Sequence, residues 1–221
     1  MGSRSKANMF VLFSSCNDVK NYVYSDSDAG LIGLESSFLD KCMDVIASVN
    51  ENVVFVPRNL KSVERKSIPH ESSTKRKTLT SYIPLDTQSA RILAKLRKPV
   101  VVLVSPNTLR YVDEAQVNFM RQSHERKFLE IALGQFIKFL TDSKKGYVYV
   151  EKVFRGLGDV IEHALKYDIG IVASGAVDYY PKTLFTSHID IVFFSLGFSK
   201  RERRMILEVY PVELLKMLHG D

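Results

Sequence analysis

Apolar runs of strand length recur along the 221-residue chain, and between them apolar positions repeat at helical spacing. The runs are Phe10 to Cys16, Leu31 to Leu34, Val53 to Val56, Thr78 to Ile83, Val100 to Val104, Phe128 to Leu133 and Ile169 to Ala173. Several are continuous rather than alternating, VVVLV at 100–104 most plainly, as expected of strands covered on both faces. Strands alternating with helical stretches predict a parallel sheet with crossover helices. The expected class is therefore α/β, a TIM-barrel-like single domain of about seven to eight mostly parallel strands with surrounding helices. An open doubly wound sheet is the competing architecture, but neither G-x-G-x-x-G nor G-x-x-x-x-G-K-[ST] follows any strand.

Helix boundaries are marked by capping chemistry. Asp86 caps a helix carrying Ala90, Leu93, Ala94 and Leu96, and Pro99 closes it. Its outer face places Arg91, Lys95 and Lys98 at i, i+4 and i+7, one basic stripe. Asp113 to Arg121 and Tyr149 to Tyr167 read as further helices, with Gly156 and Gly158 in the second permitting close packing. Beyond Ala176 the pattern is helical throughout. Ile189 to Leu196 ends at Gly197, and Ser199 opens a helix interrupted near Pro211.

Composition narrows the function classes. No run of about 18 apolar residues exists to span a bilayer, and the start MGSRSKANMF lacks the apolar stretch of a secretory signal. The expectation is a soluble cytoplasmic protein with no membrane contact, and residues 1–8 are read as a tail. Cys16 and Cys42 are too few to staple a domain of this size and have no C-x-x-C spacing, so both read as buried small apolar residues.

The net charge of +6 matters through its placement. Arg58, Lys61, Arg65, Lys66, Lys75, Arg76 and Lys77 face only Glu64 and Glu71 between positions 58 and 77, a local excess of five positive charges on a long basic loop. Like charges so dense repel one another unless an anion neutralises them. With the stripe Arg91, Lys95, Lys98 and the cluster Lys200, Arg201, Arg203, Arg204, this loop supplies the candidate phosphate contacts of an RNA-binding surface. Aromatic residues do not interleave with the loop, which points to backbone and shape recognition rather than base readout.

Catalytic signatures are scarce. The histidines at 70, 124, 163, 188 and 219 form neither H-x-H nor H-E-x-x-H, so no metal site and no protein-bound cofactor is expected. Glu35 and Glu130 lie nearest to strand ends, where a carboxylate pair could serve acid and base chemistry, but Glu130 is expected to pair with Lys127. Ser174 within ASGA lacks the G-x-S-x-G elbow and reads as a tight turn with Gly175 or as a helix cap. No catalytic residue is assigned.

The last third, IGIVASGAVDYYPKTLFTSHIDIVFFSLGFSKRERRMILEVYPVELLKMLHGD, runs from a strand through an S-G-A turn to an apolar helix closing on Leu-Gly-aromatic, then into Tyr-Pro and Leu-Leu-Lys. This order resembles the carboxyl end of ribonuclease P protein component 3, and Asp113-Glu114-Ala115 with KFLEIAL at 127–133 is similar to the same family's middle. The resemblance is strongest from Val100 onward. Family members often carry an Arg/Pro/Arg/Asp-like run before the apolar helix, where this chain has Leu184-Phe185-Thr186-Ser187-His188, so contacts assigned to those arginines do not transfer.

The resemblance implies a TIM-barrel-like subunit of a ribonucleoprotein endonuclease shared by archaea and eukaryotes, and the short stretch after Tyr-Pro reads as archaeal. In that assembly the ribonuclease P RNA, with Mg²⁺, removes the 5′ leader of precursor tRNA, and the protein pairs with ribonuclease P protein component 2 among other protein subunits. A stand-alone metal-dependent barrel hydrolase acting on phosphoesters is the alternative, since fold alone does not fix function.

Overall fold

The structure is a computed structural model that describes residues 5–49, 52–64, 78–142 and 146–219. Its strands β1 (Lys6–Asn8), β2 (Ala29–Glu35), β3 (Val54–Val63), β4 (Leu79–Pro84), β5 (Val100–Val104), β6 (Lys127–Ala132) and β7 (Gly170–Ser174) lie side by side in sequence order, and every adjacent pair is parallel. The N–H of Met9 donates to the carbonyl of Ala173 at 2.9 Å, and Leu12 bridges to Tyr179. The edges thus meet, and the sheet is a nearly closed barrel. This is the TIM-barrel-like α/β class that the alternation of patterns predicts, with seven strands.

Helices cover the outside of the sheet. Between β1 and β2 runs α1 (Cys16–Ser25), and between β2 and β3 come α2 (Ser36–Lys41) and α3 (Met43–Ala47). Next follow α4 (Thr87–Lys95), α5 (Glu114–Arg121), α6 (Leu133–Asp142) and α7 (Tyr147–Lys166). After β7 come α8 (Thr186–Ser195), α9 (Lys200–Arg204), a π-helical turn at Met205–Val209 and α10 (Tyr210–His219). The π-helical turn and α10 pack on β7, and the turn also reaches β1. All five residues of β5 are buried, as its unbroken apolar run requires. A second core under α1 gathers Phe13, Tyr22 and Val23 against Ile32 and Leu34.

Capping residues act where the sequence places them. Asp86 accepts from the N–H of Ser89 at 2.6 Å, Asp113 from that of Gln116 at 2.8 Å, and Ser199 from that of Glu202 at 3.3 Å. Each satisfies an N–H that the first helical turn leaves free. Gly197 ends the turn after α8 with φ of 92°, a conformation that costs a residue with a Cβ.

Six readings are corrected. The run Phe10 to Cys16 is not the first strand: Val11 and Phe13 are buried in the second core, Cys16 opens α1, and β1 is the polar segment Lys6–Asn8. Apolar character records burial, whereas a ladder is made by backbone groups that any sequence carries. Part of the expected tail is therefore a barrel strand, with Ala7 and Asn8 buried. The expected loop from 58 is strand β3 as far as Val63, and residues 65–77 lie outside the described residues.

The cysteines form a disulfide, Cys16 to Cys42, with Cα atoms 5.3 Å apart, joining the start of α1 to the residue between α2 and α3. A separation of 26 residues gives no local spacing signature, and only the packing of α1 on α3 brings the two together. The glycines of α7 are not needed for close packing: a Cβ at Gly156 would meet only Leu109, at 3.6 Å, and one at Gly158 would meet nothing within 4 Å. Near Pro211 the helical path continues, its hydrogen-bond pattern widening to the π type just before that residue.

Candidate functional site

Three residues from three strands bring polar chemistry into the buried sheet. Arg58 of β3 donates through Nη2 to Glu130 Oε2 of β6, Ser81 Oγ of β4 donates to the same oxygen, and the Arg58 guanidinium lies 4.2 Å from the Phe10 ring centroid. All three side chains are buried, Arg58 and Glu130 completely. Arg58 Nε and Nη1 and Glu130 Oε1 have no hydrogen-bond partner among the described residues. Burial pushes the Arg58 guanidinium below its ordinary range, and the Glu130 charge offsets only part of that.

This geometry overturns two expectations. Arg58 is enclosed in the barrel, where no phosphate reaches it, so it is not a surface RNA contact. Glu130 does not pair with Lys127, because side chains three apart on a strand point to opposite faces. Lys127 instead donates from Nζ to the carbonyls of Leu96 at 2.7 Å and Lys98 at 2.6 Å. It thereby holds the carbonyl end of α4, where the helix dipole favours a cation. Burial lowers the Lys127 pKa, against the opposing charge of Glu125.

The barrel's upper seam is closed by a second polar network. Asn8 Nδ2 donates to Tyr22 Oη and to the Leu184 carbonyl, each at 2.8 Å, and Asn8 Oδ1 accepts from the N–H of Gly175 at 2.8 Å. Tyr22 Oη donates to Asp26 Oδ2 at 2.9 Å. Burial, with the Asp26 charge, raises the Tyr22 phenol well above its usual value. Asp26 also accepts from the N–H of Thr186 at 2.7 Å and from its hydroxyl at 2.6 Å, capping α8 from across the barrel.

A Cβ at Gly175 would fall 2.6 Å from the Leu184 carbonyl oxygen, so the S-G-A turn needs glycine for close approach. Ser174 is buried as the last residue of β7, in register with Ala132, and its Oγ donates to the Ile131 carbonyl at 3.4 Å, so it is a strand residue and the turn begins after it.

The remaining assigned cations are spread around the molecule. Lys61 is exposed near the end of β3, while Arg65, Lys66, Lys75, Arg76 and Lys77 lie outside the described residues. Arg91 is tied to Asp113 at 2.8 Å and to Gln116 at 2.9 Å, which makes it a clamp between α4 and α5. Lys95 is exposed above the Phe119 ring at 5.2 Å, and Lys98 lies beyond the end of α4, so the three-residue stripe is not continuous helix surface.

Arg203 binds Asp190 at 2.7 Å and Arg204 binds Glu208 at 3.1 Å, while Lys200 and Arg201 are exposed and form no ion pair with a described residue. Sequence reasoning missed Arg97 and His124, which line a groove of about 480 Å³ with Lys95 and Phe119. Arg97 sits between two assigned lysines, but the groove needs the end of α5 beside the end of α4, which no local pattern reveals.

Glu35 is exposed and shares a small groove with Lys41 and Tyr179. It stands apart from Glu130, which is enclosed by the sheet. Among the described residues no three His, Cys, Asp or Glu side chains gather as metal ligands, and no helix is long and apolar enough to cross a membrane. No known family model matches the chain, and no curated protein matches it.

Proposed function

We propose that the chain is a protein subunit of an archaeal ribonuclease P, supporting the catalytic RNA in removing the 5′ leader from precursor tRNA. The observation that carries the reading is a set of exposed cations, Lys61, Lys95, Lys200 and Arg201, none ion-paired with a described residue, on a barrel whose polar interior is closed to substrate. Uncompensated surface cations bind phosphates by releasing condensed counterions, a mode that needs no pocket. The nearly closed barrel is also the architecture that the resemblance of residues 100–221 implies.

In this reading the RNA with Mg²⁺ supplies the chemistry, and the protein works beside protein component 2 and other subunits in the cytoplasm.

The test is reconstitution with a ribonuclease P RNA and a precursor tRNA. Affinity for the RNA should fall steeply and linearly on a log–log plot against salt. Reversing Lys75, Arg76 and Lys77 to Glu should weaken it, as should reversing Lys95, Arg97 and Lys98, or Lys200, Arg201 and Arg204. Unchanged binding and unchanged 5′ processing in all three variants would sink the reading. Turnover of a phosphoester by the protein with added divalent metal and no RNA would replace it with the barrel hydrolase.

A further inference from the structure

One groove carries the opposite charge to the rest of this basic chain. It runs along α7 beside the corner between α8 and α9, with a volume of about 770 Å³. Its floor is apolar, built from Val150, Phe154, Leu196 and Phe198. Among the described residues four carboxylates rim it, Glu151, Asp159, Glu162 and Glu202, against one cation, Arg155.

Arg155 is already held by Glu151 at 2.6 Å, while the exposed Asp159 and Glu162 make no hydrogen bond or ion pair with a described residue. Lys200, Arg201 and Arg203, although on the turn that carries Glu202, do not line the groove. At its end stands Tyr147, 81% exposed. Gly158 keeps the floor open, since a Cβ there would meet nothing within 4 Å.

We infer that this groove docks a basic amphipathic helix of a partner protein. The lining of α7 extends from Tyr147 to Glu162, about 22 Å at the rise of an α-helix, enough for a second helix of four turns laid alongside. Positions 151, 155, 159 and 162 recur about once per turn, so lysines or arginines at i, i+8 and i+11 of a parallel incoming helix would meet Glu151, Asp159 and Glu162 in turn. Its leucine-like face would cover the floor, the pattern by which amphipathic helices occupy grooves. RNA is the wrong sign for this surface, so the inference does not rest on the ribonucleoprotein reading.

The probe is an 18-residue helical peptide with leucine on one face and lysine on the other, alongside a counterpart with glutamate in place of lysine. Each is titrated into the isotope-labelled full chain and followed by backbone amide shifts. The lysine peptide should perturb residues 147–162 and 195–202 and bind more weakly as salt rises, and the glutamate peptide should not bind there. The Asp159→Lys/Glu162→Lys variant should lose affinity by about tenfold or more, because opposed rim charges become repulsive.

Both positions are exposed, so the variant's thermal melt should match the parent's. Gly158→Leu, which fills the groove without touching the core, should block the peptide independently. Equal binding of both peptides, unchanged affinity in both variants, or the same perturbations from a 30-nucleotide RNA would overturn the inference. Concentration-dependent shifts of residues 147–162 without peptide would overturn it in favour of a second copy of this chain.

Discussion

Arg58 and Glu130 face each other inside the barrel, with three of their polar atoms lacking a partner among the described residues. Removing one partner of such a pair leaves an uncompensated buried charge, at a cost of about 3–5 kcal/mol, whereas exchanging both for apolar residues of similar volume is often neutral or stabilising. Arg58→Met and Glu130→Leu singly should each lower stability to urea by about that amount, and the double variant should recover most of it. Two additive losses in the double variant would show that the residues do not act as a pair. Nothing around position 58 in the sequence distinguishes this arginine from the basic run it heads. Its interior position follows from the register of β3, in which Arg58 lies opposite Glu35 of β2 and Leu79 of β4.

At the scale of elements, the chain is tied across its seam by ionic links and beside the seam by a disulfide. Asp190 of α8 accepts from Lys6 of β1 at 3.0 Å and from Arg203 of α9 at 2.7 Å. Burial alone would raise the Asp190 carboxyl, but the hydrogen bonds and charges of Lys6 and Arg203 outweigh it and hold the pKa below 3.8. A carboxyl depressed by folding stabilises the fold above its unfolded pKa and loses that contribution as the pH falls through the folded value. Acid melts should therefore show Asp190→Asn less stable than the parent at neutral pH, with the gap closing as the pH falls below 3.8. A gap that stays constant would remove the charge from the account.

The disulfide acts on the same half of the barrel. Closing a loop of 26 residues removes unfolded-state entropy, worth roughly 3.5 kcal/mol in the chain-entropy model. Reduction, or Cys16→Ser with Cys42→Ala, should lower stability by up to about that amount, read as a lower unfolding midpoint for reduced than for non-reduced protein. No change in midpoint would mean the bridge constrains nothing that folding does not already fix. The apolar reading holds for Cys42, which is 2% exposed, but not for the pairing. Pairing required α1 and the α2–α3 corner to meet, whereas the caps at Asp86, Asp113 and Ser199 were legible because each acts within three residues of its own chain.

For the molecule as a whole, the barrel distributes what the sequence groups. Lys95, Arg97 and Lys98 belong to the α4 side, which packs on β4 and β5, while Lys200, Arg201 and Arg204 belong to α9, linked through the π-helical turn to β7 and β1. Patches on different flanks share no partners, so the losses from their charge reversals should add in free energy when the RNA contacts both. Six of the seven apolar runs became strands because strand-length burial and helical alternation are local records of a covered parallel sheet. The exception, β1, carries no apolar signal, because its role is to offer backbone groups and polar side chains to the closing seam.

Spacing over a few residues was enough to read the α/β class, six of the seven strands, the capped helix starts and the placement of positive charge along the chain. Tertiary structure alone decided which arginine is buried, which carboxylate it meets, which cysteines join, and that an acid-rimmed groove lies on a basic protein. Those outcomes depend on distances between residues far apart in the chain, and only closure of the barrel sets such distances.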